Sequence, residues 1–186
     1  MSALPIARPV TAADVADLEA RLAAELPRFA VCYKDESRLQ QAIARLVRPF
    51  NRTYLTQYTT VMFGRVYLPS RAWCARQGPE TVYRILRHEA VHLRDARRWP
   101  GLFHVSYLVL LPAGLTMRAF WEWRAYAETL RVEAELTGDI SDGLLNHVER
   151  CFTGPDYLFM CPFPGFVRRR LRRLRARVLA EMAGDS

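Results

Sequence analysis

The segment His88-Glu89-Ala90-Val91-His92 constrains this chain more than any other, because it sets three chemically active side chains into a helix that must also bury an apolar stripe. Two histidines four apart on a helix lie about 40° apart around its axis and about one turn apart along it, so both rings can reach one ion. Taking Val82 as reference, Ile85, Leu86, Leu93 and Ala96 define the stripe, and Glu89 falls in its middle. A carboxylate there is costly unless something uses it. A zinc ion supplies the use: it lowers the pKa of its bound water, and Glu89 is placed to take that proton and pass it to a leaving group. Pro79 and Glu80 open this helix, and Trp99-Pro100-Gly101 stops it near Arg98.

With 51% of its 186 residues apolar, the chain can bury one sizeable core, and residues 1–186 are expected to form a single domain. Thr11 and Asp14 read as a helix start, followed at helical spacing by Val15, Leu18, Leu22 and Leu26. A second helix is expected over 36–47, with Pro49 ending it. Residues 52–63 are rich in Thr, Tyr and Val, Gly64 breaks them, and Arg65-Val-Tyr-Leu68 resumes, which predicts an antiparallel hairpin before the motif helix. Further helices are expected over 117–136, 142–151 and 166–182. The fold class is therefore α+β, mostly helical, with one small sheet.

A catalytic zinc site normally has three protein ligands and one open position, so a third ligand is needed. The metzincin pattern, with a ligand at position 98, is excluded because Arg98 stands there and Asp95 replaces its glycine. His104 lies twelve residues beyond His92, close to where DNA-associated SprT-like proteins supply a histidine, but within apolar Phe103-His-Val-Ser-Tyr107. Glu122 and Glu128 remain, in Arg118-Ala-Phe-Trp-Glu122-Trp-Arg-Ala125-Tyr126-Ala-Glu128. Glu122 sits among Phe120, Trp121 and Trp123, where a glutamate usually has a specific partner. Glu128, Glu133 and Glu135 read as an exposed charged face.

The motif helix followed by Glu122-Trp-Arg-Ala125-Tyr126 resembles small zincin-like metallopeptidases of the gluzincin type from bacteria and their phages. The resemblance covers about 54–128 and departs from the pattern at Arg94 and at Tyr126, where a second acid is frequent. It implies one zinc ion held by His88, His92 and Glu122, with Glu89 as the catalytic base acting on zinc-bound water to hydrolyse a peptide bond. It also implies a strand edge for an extended peptide, supplied by Arg65–Leu68 or by the strand over 59–63. Tyr157 is a candidate donor to the developing oxyanion, and Asp95 or Tyr126 could accept a histidine N–H.

The net charge of +8 is concentrated in the last helix, where seven arginines lie between Arg168 and Arg177. Val167, Leu171, Leu174 and Val178 give that helix one narrow stripe for packing on the domain, so its other faces are cationic. Such a face could grip nucleic acid through its phosphates, bind an anionic membrane surface or insert into an acidic partner protein; a solvated face with local ion pairs is the alternative. Cys32, Cys74, Cys151 and Cys161 show no metal-binding spacing and are expected to be buried thiols. The apolar stretch over 101–117 is interrupted by His104, Ser106 and Pro112 and reads as core rather than as a membrane span. No basic start followed by an apolar run opens the sequence, so a cytoplasmic setting is expected, with virion association as the alternative. Two other functions fit the same residues: a structural or binding component of a phage or other assembly with an inactive site, and an SprT-like peptidase using His104.

Overall fold

The computed structural model describes residues 8–49, 51–103, 106, 117–155 and 159–184. His104, Tyr157 and most of the 101–117 stretch lie outside them. Among the described residues the elements are α1 (Ala12–Glu25), β1 (Val31–Tyr33), α2 (Arg38–Val47), β2 (Thr60–Met62), β3 (Arg65–Leu68), α3 (Arg71–Arg98), α4 (Met117–Thr137), α5 (Asp142–Thr153) and α6 (Pro164–Gly184). No helix among them is long and apolar enough to cross a membrane. Contacts divide the chain into two compact units, Val10–Arg94 and one beginning at Asp95, within α3.

In the first unit, α1 starts at a capping box in which Thr11 N–H donates to Asp14 Oδ2 at 2.8 Å and Asp14 N–H donates back to Thr11 Oγ1 at 3.4 Å. Two of the first-turn donors are thereby satisfied. Leu18 and Leu22 bury the inner face of α1. The predicted hairpin is present as β2 and β3, antiparallel, with Val61 opposite Val66. A third strand, β1, adds in parallel to the other side of β3, so the order is β1-β3-β2 and the small sheet is mixed. Val66, Tyr67 and Leu68 are buried, as expected of a strand flanked on both sides.

Helix α3 begins earlier than its sequence signal. It starts at Arg71 and bends at Gly78, whose φ of 81° and ψ of 164° interrupt the helix before Pro79 restarts it. Glycine tolerates that conformation without a Cβ clash, and proline fits a first turn that lacks a donor's partner anyway. Val82, Tyr83, Leu86, Ala90 and Leu93 are buried. Arg94, the departure from the expected motif, points outward and makes a bidentate pair with Glu25 at 2.7 Å for both N–O contacts. Both partners are nearly half exposed, so the pair contributes less than about 1 kcal/mol.

In the second unit, α4, α5 and α6 enclose a core of Trp123, Tyr126, Leu130, Ile140, Val148, Phe152 and Met160. Trp123 stacks on Phe152 with ring centroids 4.1 Å apart. Val167, Leu171 and Val178 of α6 are fully buried against it. Each contributes about 2 kcal/mol. That outweighs neighbouring like charges on α6 at about 0.5 kcal/mol per pair. The glutamates of α4 do not form an exposed face: Glu135 is buried, and Glu128 is partly buried and paired with Arg131 at 3.1 Å. Both α5 and α6 pack on α4. All four cysteines are free thiols, Cys151 and Cys161 buried and Cys32 and Cys74 only partly so.

Candidate metal centre

Helix α3 carries His88 and His92 one turn apart, with ring centroids 5.2 Å apart and planes inclined at 75°. Helix α4 carries Glu122, 3% exposed between the buried Trp121 and Trp123. The ligand atoms of His88, His92 and Glu122 all lie within 4.8 Å of one another. No other cluster of this kind occurs among the described residues. Ligand atoms of a tetrahedral zinc lie roughly 3.4 Å apart, given bonds of about 2.1 Å, which is the scale of this cluster. Two imidazoles and one carboxylate also form the donor set that leaves a catalytic zinc its fourth position. The residues fit a single zinc ion.

Asp95, three residues past His92, is 1% exposed. Arg124, two residues past Glu122, turns its Nε to both Asp95 carboxylate oxygens at 3.0 and 3.1 Å and its Nη2 to Oδ1 at 2.9 Å. The aspartate is thus not a surface residue, and its hydrogen-bond partner among the described residues is Arg124 rather than a histidine. Its pairing ties the end of the histidine helix to the helix of the third ligand. Only the aspartate is buried, the Arg124 side chain being half exposed, so it is removal of the arginine that would leave a buried charge without its partner. Tyr126 joins the apolar core beside Phe152, with ring centroids 5.5 Å apart.

Glu89 is 8% exposed and accepts a hydrogen bond from Thr59 Oγ1 at 2.6 Å. Thr59 immediately precedes β2, so the edge strand and the motif glutamate are joined directly. A residue invisible at the sequence level lies close by: Lys34, the one lysine beside 26 arginines, is fully buried at the end of β1. Its Nζ donates to the Tyr54 carbonyl at 3.0 Å and lies 3.7 Å from the centroid of the Tyr54 ring. Tyr54 in turn donates through its hydroxyl to Gln40 Oε1 at 2.6 Å. Burial pushes the Lys34 amine down to about 7, and the negative charge of Glu89 opposes that shift. The uniqueness of the residue was the one signal that could have singled it out.

The lysine carries a stability consequence. Its folded pKa lies below the roughly 10.4 of an unfolded lysine, so between these values the unfolded chain holds an extra proton and stability rises with pH. The slope from this group is roughly 1 kcal/mol per pH unit between about pH 7 and pH 10. Lys34→Met is expected to be more stable than the parent at pH 7 and to lose this slope, measured by urea unfolding at pH 7, 8 and 9. Parallel profiles for the two proteins would show that the lysine is not held in this state.

No protein-family model, curated protein or solved structure matches the chain. A His-His-Glu set on a mostly helical fold, with a small sheet ahead of the motif helix, is consistent with a zincin-like metallopeptidase scaffold. The set supports a catalytic zinc site of the kind typical of gluzincin peptidases.

Proposed function

We propose that this chain is a zinc-dependent metallopeptidase in which His88, His92 and Glu122 hold the ion and Glu89 is the catalytic base. The clustering of Glu122 with the two motif histidines carries the reading. When bound, zinc acidifies water and polarises a carbonyl. Glu89 then removes a proton from the attacking water and delivers it to the departing amine, held for this by Thr59. Proton transfer of this kind contributes about 10²–10⁴-fold to rate. Tyr157 stays the candidate donor to the oxyanion.

An extended peptide is the proposed substrate, and β2 is the strand that would take it. The other strand considered, β3, hydrogen-bonds on both sides and has no edge to offer. β2 lies at the border of the sheet and leads directly from Thr59, so a peptide added there would run past Glu89. We further read 1–186 as one domain working in the cytoplasm, and α6 as a contact for an anionic partner. That α3 runs without a break through the division between the two units supports the single-domain reading.

Incubation with a mixed peptide library tests the activity. Cleavage is expected with one equivalent of zinc, lost after chelation and restored by adding zinc back. Cleavage that survives complete removal of metal would exclude the mechanism.

A further inference from the structure

The seven arginines of α6 are not equivalent. Arg168 meets Glu149 at 2.7 Å, and Arg175 meets Asp142 at 2.8 Å and Asp139 at 3.3 Å. That flank is neutralised by its own unit. Arg169, Arg173 and Arg177 recur every fourth residue on another face, are exposed, and meet no carboxylate among the described residues. Helical rise places them about 6 Å apart in a row. Like charges so arranged repel one another unless an anion lies along them.

The row borders a groove of about 450 Å³ between α4 and α6. Phe120 and Phe166 line the same groove and are 47% and 50% exposed as residues. Deeper in it, Arg170 lies over the Trp123 ring, 4.7 Å from its centroid. A line of guanidinium groups tracking a backbone, beside open aromatic faces, is the combination that holds single-stranded nucleic acid by phosphate contact and base stacking. An acidic peptide would use the arginines and leave the rings idle. A bilayer would need an apolar face to insert, but the stripe of α6 is already buried in its own core. Duplex ends aside, paired bases show no faces to stack on.

We propose that the α4–α6 groove binds single-stranded nucleic acid, with Arg169, Arg173 and Arg177 on successive phosphates and Phe120 and Phe166 beneath bases. This narrows, and rests on, the reading of α6 as a contact for an anionic partner; it is independent of the metal centre.

Fluorescence anisotropy of the full chain with a labelled oligothymidylate of roughly ten nucleotides tests it. Binding is expected at about 50 mM salt, with log K falling against log salt at a slope of about −2 for three phosphates. Phe120→Ala and Phe166→Ala should each weaken binding by at least about fivefold without moving the salt slope. The triple change of Arg169, Arg173 and Arg177 to Gln should remove the slope, with helix content unchanged by circular dichroism because all three are exposed. Polyglutamate and phosphatidylserine vesicles are run beside it. Binding of polyglutamate but not the oligonucleotide, or oligonucleotide binding indifferent to both Phe changes, overturns the nucleic-acid proposal while leaving an anionic partner. Binding of vesicles alone overturns it in favour of a membrane surface. Binding of none of the three overturns both it and the anionic-partner reading.

Discussion

Glu89→Gln is expected to lower peptide hydrolysis by about 10²–10⁴-fold while the protein keeps its zinc and its fold. The amide is the same size as the carboxylate and still offers an oxygen to Thr59 Oγ1, which now donates to Glu89 Oε1 at 2.6 Å. Glu89 is not among the three clustered ligands, so its neutralisation takes none of them away. What it removes is the group proposed to accept and return a proton. Kinetics on a cleaved library peptide, with zinc content and circular dichroism measured on the same sample, checks this. Activity within a few-fold of the parent would move the base to another residue.

Zinc is expected to raise the melting temperature of the parent protein by roughly 10 °C, and to leave Glu122→Ala almost unmoved. A ligand at a thousandfold excess over its dissociation constant stabilises by about 4 kcal/mol. For a chain of this length each kcal/mol is worth about 2–4 °C. Glu122 is buried between two tryptophans, and the ion gives its carboxylate a counter-charge there. Alanine removes the ligand, so the variant should be less stable than the parent in the presence of metal. Differential scanning fluorimetry across a zinc titration reads both arms. Equal zinc-induced shifts in the two proteins would take Glu122 out of the site.

The motif helix was legible because one segment carried three signals at once: histidines four apart, a 3.6-residue apolar period, and proline and glycine at its ends. Its first turns were not, since Gly78-Pro79 reads as a beginning, whereas a left-handed glycine lets α3 run back to Arg71. Strand β1 is three residues long and offers no alternation to detect; only its pairing with β3 creates it. Glu122 could be chosen over Glu128 from its bulky neighbours, and its burial agrees. The charged run after it misled, because Glu133 and Glu135 have the composition of a solvated face, yet Glu135 is buried. Thr59 and Arg124 were beyond reach, and Lys34 offered only its being the one lysine of the sequence. Thr59 and Arg124 meet their partners 30 and 29 residues away, and no local pattern encodes that.

Metal analysis of the purified protein and its variants tests the centre most directly. One zinc per chain is predicted in the parent and in Glu89→Gln, and loss of it in Glu122→Ala. A full complement of zinc in Glu122→Ala would contradict the ligand set and turn attention to Glu128 or His104, and a parent that binds no zinc even when it is supplied would contradict the metallopeptidase account itself.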